Sequence, residues 1–395
     1  MVHMRLSALV LVVVVLSCGS SQMPDRDADA DGTSGDIAAR DLFLQDSFPD
    51  FSGDLGDGPD EGSFVPDVVD VAPNVIERQD PGGSWPCADP ATCIEDYLTF
   101  LKKAPYSGKG WSEETIAQML ADIDAGNVPQ TDTLLSSEEL ARTITEALTI
   151  GFLLDGLASR ELTVTTIRES AFPDHVEKHL LFEDPWVGTF EALFLLPHGP
   201  GPFPAVLALH GHGDSAAVFR DDYHGNEYPA RGFAILMLTF RAMGNGLASL
   251  TEYDVTVRFM KKGYALMGMR VYEALLGLKF LRHSSLVDTD RVGLVGHSGG
   301  SSAGNLVIRV DQGLQAYVSD YHVDWAEWEP TFRIVHCETV PHLYPYSEQI
   351  NDFSTSVTPV LSVDYGYPNG VGELFDFFDQ ELSNAHSDGG QPARR

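Results

Sequence analysis

Hydrophobic positions change their period twice along this chain. Leu140, Ile144, Leu148 and Phe152 recur at helical spacing, and Ser136-Ser-Glu-Glu139 just before them is a capping box. Helix is therefore predicted within Cys93–Gly156. From Glu161 to Leu196 the apolar runs shorten to Leu162–Ile167, His179–Phe182 and Phe190–Leu196. They are punctuated by turn signals at Asp184-Pro185 and Pro197-His-Gly-Pro200, which predicts strands. Beyond Pro204 the two periods alternate. Strands are expected at Pro204–Leu209, Phe233–Thr239, up to Gly296, at Leu314–Ser319 and at Pro359–Val363. Helices are expected at Tyr264–Arg282, with Leu266, Met269, Tyr272, Leu276 and Phe280 on one face, and at Gly372–Ser383. The pattern predicts an α/β domain over residues 161–395, with a mostly parallel central sheet flanked by helices, preceded by a helical segment over 86–160.

The first 85 residues follow neither period. His3 and Arg5 precede the apolar run Leu9–Leu16, too short for a comfortable membrane span, which reads as a targeting segment over residues 1–18. Residues 19–85 carry 16 acidic side chains against 3 basic ones, among Gly, Ser and Pro, and read as a solvated, self-repelling acidic disordered linker. Asp25, Asp27, Asp29 and Asp31 alternate with other residues, but the spacing to a bidentate glutamate that a calcium loop needs is missing. Val15-Leu16-Ser17-Cys18-Gly19 resembles the lipobox of bacterial lipoproteins. That resemblance implies lipidation at Cys18 and an extracytoplasmic chain anchored to the cell envelope, with Gly19 pointing to the outer membrane. An ordinary secretory signal is the alternative, and it also exports the chain.

The candidate chemistry sits where a strand should meet a helix. Val292–Gly296 is followed by His297-Ser298-Gly299-Gly300, a G-x-S-x-G arrangement on a strand-to-helix turn. Such an elbow strains the serine backbone, and Gly296 and Gly300 remove the side chains that would collide as strand and helix cross. Upstream, a mostly apolar run ends in His210-Gly211-His212-Gly213. That run resembles the strand and oxyanion loop of α/β-hydrolases, and the resemblance implies an oxyanion donor in the N–H of His212, beside Gly211, with the N–H of Gly299 as the second.

Taken together, His210–Gly213, Met267–Ala274, Asp290-Arg291-Val292 and Gly296–Gly300 resemble the α/β-hydrolases. The similarity is strongest to the branch holding acetyl xylan esterases, cephalosporin-C deacetylases and dienelactone-hydrolase-like proteins. It runs from about Leu162 to Leu382 and implies Ser298 as nucleophile, followed in chain order by an acid and then a histidine. Asp364, at the end of the last predicted strand, is the candidate acid. Asn369 stands nearer the place where the family's Gly-x-x-Asp pattern would put it, and Asp320 and Asp324 are runners-up. The base is His386, the one histidine after Asp364, in a short polar tail. His336 and His342 precede the last strand. So little chain follows residue 383 that the final strand of the fold, and its histidine, can be missing.

Composition narrows the partners. A net charge of −33 excludes a basic nucleic-acid footprint and electrostatic docking on anionic lipid, which leaves a lipid anchor as the membrane contact. Cys87 and Cys93 form a plausible disulfide in an exported protein, and Cys337 stands alone. No second Cys/His pair at zinc-ligand spacing accompanies them, so no metal is assigned, and no nucleotide or flavin signature calls for a cofactor. Two functions remain: hydrolysis of a small ester or an acylated carbohydrate, or a catalytically impaired hydrolase fold acting as a binding or scaffold module.

Overall fold

The computed structural model describes residues 90–125, 127, 131–241, 252–321, 337–367 and 371–383. Cys18, Cys87, Asp324, His336, Asn369 and His386 lie outside them.

Four helices come first, α1 (Pro90–Lys103), α2 (Glu113–Asp124), α3 (Ser137–Leu148) and α4 (Gly151–Leu154). The predicted capping box opens α3: the Glu139 N–H donates to the Ser136 hydroxyl, and the Ser136 N–H donates to the Glu139 carboxylate at 2.9 Å. Thr149 then takes a left-handed conformation and ends the helix. The predicted periodicity carries on into α4, where Phe152 packs against the main core.

The strands β1 (Thr163–Ala171), β2 (His175–Asp184) and β3 (Gly188–Pro197) form an antiparallel meander. The α/β part follows as β4 (Phe203–Leu209), α5 (Ala216–Asp222), β5 (Ala234–Leu238), α6 (Glu252–Lys262), α7 (Leu266–His283), β6 (Val287–Gly296), α8 (Gly299–Val310), β7 (Ala316–Ser319), α9 (Ser347–Asn351), β8 (Val360–Ser362) and α10 (Gly372–Ser383). All eight strands share one sheet in the order β1-β2-β3-β5-β4-β6-β7-β8. The run from β5 to β8 is parallel. Among the described residues no strand follows β8.

Side chains on β4 show how the sheet is covered. Ala205, Leu207 and Leu209 enter a large core with α7, α8 and the N-terminal helices, while Val206 and Ala208 enter a second core with α5 and α10. This is the period-two alternation of a strand buried on both faces.

The expectation for α7 was one apolar face, and the structure differs: Leu266–Leu278 are buried without a break. Two glycines explain how. A Cβ on Gly277 would stand 3.1 Å from Leu207, and one on Gly268 would stand 2.7 Å from the Leu148 carbonyl oxygen of α3. Nine residues on a helix is half a turn beyond two full ones, so these contacts lie on opposite sides of α7. The N-terminal helices cover what would otherwise be its solvent face.

Candidate active site

Strand register gathers the candidate residues. Leu209 pairs with Gly296, Gly296 with Ser319 and Ser319 with Ser362, so the carboxyl ends of β4, β6, β7 and β8 lie level. The next residues along, His210, His297 and Asp320, share one edge of the sheet, where parallel α/β folds place their sites.

Ser298 has φ 50° and ψ −119°, a conformation an L-residue with a side chain rarely holds. The glycines around it are sterically required. A Cβ on Gly296 would lie 2.7 Å from the Gly300 carbonyl oxygen, and one on Gly300 would lie 2.0 Å from the Leu209 carbonyl oxygen. Strand β6, helix α8 and the end of β4 therefore touch backbone to backbone. Ser298 is the one residue of His297–Gly300 that keeps partial access to solvent. It caps the N-terminus of α8, where the helix dipole presents positive potential.

The strained turn is held from below by Asp320. The Ser298 N–H donates to Asp320 Oδ1 at 2.7 Å, and the Ser301 hydroxyl lies 3.0 Å from the same oxygen. Asp320 Oδ2 is 2.5 Å from His297 Nδ1 and accepts the Gly366 N–H at 3.2 Å. His297 is buried, its ring covered by Tyr223 at 3.8 Å between centroids and flanked by Tyr365.

The loop after β4 closes over the elbow. A Cβ on Gly211 would meet Asp214 Oδ2, His297 Cδ2 and Ser298 Cβ at 2.8, 2.9 and 3.2 Å, so only glycine lets the loop come this close. His210 is fully buried beneath it. Its Nδ1 bonds the Gly211 carbonyl oxygen at 2.7 Å, and its Nε2 accepts the Phe240 N–H at 2.8 Å. Burial pushes its pKa down to about 4, so the ring stays neutral in one tautomer and ties the loop to the end of β5. His212 is exposed at the rim. Burial also raises the Asp214 carboxyl above the usual carboxylate range.

The structure thus brings Ser298, Gly299, Gly211 and His212 into one locus. It does not bring Asp364 there as a buried partner: Asp364 is exposed in the turn after β8, its carbonyl accepting the Tyr367 N–H. The carboxylate buried against the elbow belongs to Asp320, because β7 ends level with β6, whereas Asp364 lies beyond the end of β8. His342 pairs with Trp111, whose Nε1 donates to its Nε2 at 3.3 Å. Among the described residues no hydrogen bond joins an imidazole to the Ser298 hydroxyl. His297, buried against Asp320, was not singled out from the sequence; its one signal there is its place just before Ser298.

A mostly parallel, doubly covered sheet with a strained serine between obligatory glycines at its carboxyl edge is the α/β-hydrolase fold. No protein-family model matches the chain. The chain is 24% identical over 181 residues to "Putative hydrolase YtaP" of Bacillus subtilis (strain 168), a match covering 42% of this chain and 60% of that protein. It therefore spans less than two thirds of that relative's length. Among solved structures, the acetyl xylan esterase from Paenibacillus sp. R4 is 12% identical, with a TM-score of 0.45 over 67% of this chain and 99% of the esterase. Acetyl xylan esterase 1 from Thermoanaerobacterium sp. JW/SL YS485 is 16% identical, with a TM-score of 0.43 over 70% of this chain and 100% of the esterase.

Proposed function

We propose that the chain is a serine hydrolase of carboxylic esters, exported and held at the cell envelope by a lipid on Cys18. The observation that carries the reading is the backbone of Ser298, strained at φ 50° between two glycines that cannot carry a side chain. Strain of this kind persists only where the surroundings impose it, and here it lifts one hydroxyl above an otherwise buried turn.

In this reading Ser298 Oγ attacks the ester carbonyl, and the N–H groups of His212 and Gly299 receive the oxyanion. A histidine takes the serine proton and returns it to the leaving alcohol, and water then releases the acyl group. His386, the one histidine after the last strand, is the proposed base. Asp320 holds the elbow, and the acid that orients His386 is Asp364 or Asp320 itself. The motif resemblance to acetyl xylan esterases suggests acetyl or other small acyl groups on carbohydrate. Export rests on the lipobox-like Val15–Gly19 and the acidic spacer behind it.

The test is labelling with a fluorophosphonate, which needs an activated nucleophile and an oxyanion pocket but no particular substrate. The full chain should label and should release acetate from an acetylated xylo-oligosaccharide, and Ser298→Ala should do neither while keeping its fold. A parent chain that never labels would end the hydrolase reading and leave a binding module on the same fold.

A further inference from the structure

Beside the elbow, three side chains of different chemistry converge. His212 Nδ1 lies 3.7 Å from Cys337 Sγ, and a Glu338 carboxylate oxygen completes a set whose atoms all lie within 4.8 Å of one another. They come from two places distant in sequence, the loop after β4 and the turn before Pro341. The cysteine is fully buried, the glutamate nearly so, and the histidine is open to solvent. One side of the set is therefore sheltered and the other reachable.

We propose that His212, Cys337 and Glu338 bind one divalent cation of the zinc class, and that the ion locks the oxyanion loop against the Cys337–Glu338 turn. The donor set suits this ion: an imidazole, a thiolate and a carboxylate are its usual ligands. The spacing suits it too. Zinc–sulfur and zinc–nitrogen bonds at a tetrahedral angle put sulfur and nitrogen about 3.6 Å apart, close to the separation of Cys337 and His212. Three protein ligands leave the fourth position for water or a substrate oxygen, the arrangement of reactive rather than purely structural sites.

The surroundings hold these donors as an outer shell should. The Ser302 hydroxyl donates to Glu338 Oε2 at 2.5 Å, which fixes the carboxylate from α8, one turn beyond Ser298. The buried Arg270 guanidinium lies 3.4 Å from the Cys337 carbonyl oxygen, and a positive charge there favours the thiolate that a metal requires. On binding, the thiol proton passes to solvent, and the charges of thiolate and carboxylate cancel that of the ion. His212 then has two separate duties: its side chain on the ion, and its N–H towards the oxyanion. The inference therefore goes beyond the ester-hydrolase reading and does not depend on it.

The test uses the full chain, stripped with a chelator and titrated with Co²⁺, whose absorption reports thiolate ligation. One Co²⁺ per chain is expected, with a sulfur-to-metal charge-transfer band that Zn²⁺ abolishes by displacement. Cys337→Ser should lose the band. Glu338→Gln and Ser302→Ala should keep the fold, by circular dichroism, and weaken Zn²⁺ binding by about 10–100-fold. Zn²⁺ should raise the melting temperature of the parent and not that of His212→Gln. The Ser298→Ala chain should give the parent's cobalt spectrum, so a failed nucleophile leaves this result intact. Cobalt uptake without the sulfur band, or a band equally strong in Cys337→Ser, would overturn the proposal, as would Zn²⁺ affinity unchanged in both Glu338→Gln and Ser302→Ala.

Discussion

The Asp320 carboxylate accepts the backbone N–H of Ser298 at 2.7 Å, so the residue that follows β7 holds the strained residue two beyond the end of β6. The same carboxylate engages His297 and Ser301, and it is almost fully buried. Asp320→Ala would remove an acceptor from all of these and from the Gly366 N–H as well. It should cost about 3–5 kcal/mol of stability, the loss seen when one member of a buried charged network is removed, and should abolish fluorophosphonate labelling. Asp364→Ala, on an exposed turn, should change stability by at most about 0.5 kcal/mol. Urea unfolding measures both. If Asp364→Ala alone loses labelling while its stability holds, Asp364 is the acid of the triad.

The glycines at the elbow make a second, steric prediction. Gly300→Ala would force a methyl group to 2.0 Å from the Leu209 carbonyl oxygen, backbone against backbone, and nothing nearby is flexible enough to yield. It should cost on the order of 3 kcal/mol or more. Gly213 is the control. It has φ 81° but open space around its Cβ position, so Gly213→Ala should cost only about 1 kcal/mol of backbone strain. Equal losses in the two variants would show that packing does not distinguish them.

Most of the architecture was legible because the hydrophobic periods are strong. The capping box at Ser136 and Glu139 lies where the sequence puts it, and every predicted strand is present with its ends moved by a few residues. The elbow was legible for a different reason: strain needs particular glycines, and glycine is visible in a sequence. The carboxylate under it was legible only as a runner-up: the sequence offers Asp320 beside Asp364 and Asp324, and the level ends of β6 and β7 single it out. That is a fact of sheet register, and nothing local in Ser319-Asp320-Tyr321 marks it. The burial of α7 on all sides was also hidden, since the small residues that admit α3 on one face and the sheet on the other look like ordinary helical glycines until both neighbours are placed.

His342 gives a pH-dependent prediction. His342 keeps solvent access, but the protein packed against its ring partly desolvates it and lowers its pKa below the usual value near 6.5, with the Lys109 charge adding to the effect. Trp111 donates to its Nε2, a bond that only the ring without a proton there can accept. A depressed folded-state pKa contributes stability that is full above the unfolded value. That contribution is lost as pH falls below 6.5 and through the folded pKa. Acidification should therefore lower the urea midpoint of the parent more than that of His342→Ala. By NMR, the His342 ring should titrate below 6.5 in the parent and move upward in Trp111→Phe. A ring that titrates at the ordinary value in both would refute the coupling.

The last prediction concerns the N-terminal helices, which the sequence alone would allow to be a detachable extension. Tyr97 of α1 is fully buried, and its hydroxyl donates to Glu273 Oε1 of α7 at 2.8 Å. Glu273 is itself fully buried and paired with Arg241, whose guanidinium stacks over the Tyr97 ring with its central carbon 4.4 Å from the ring centre. A buried ion pair of this kind is sensitive to the loss of any member, because each remaining charge is left without its compensation. Tyr97→Phe removes one hydrogen bond to a charged acceptor and should cost about 1–3 kcal/mol. Glu273→Leu leaves the Arg241 charge buried and should cost about 3–5 kcal/mol. Phe100, Ile116, Met119, Leu140, Ile144 and Leu148 belong to the same core as α7 and α8, so cutting the chain before β1 would open the outer side of α7 to water. Residues 161–395 expressed alone should therefore be insoluble or fail to unfold cooperatively, and adding back residues 86–160 should restore a single transition. A soluble, cooperatively folded 161–395 fragment would mean that α1–α4 only decorate a complete domain.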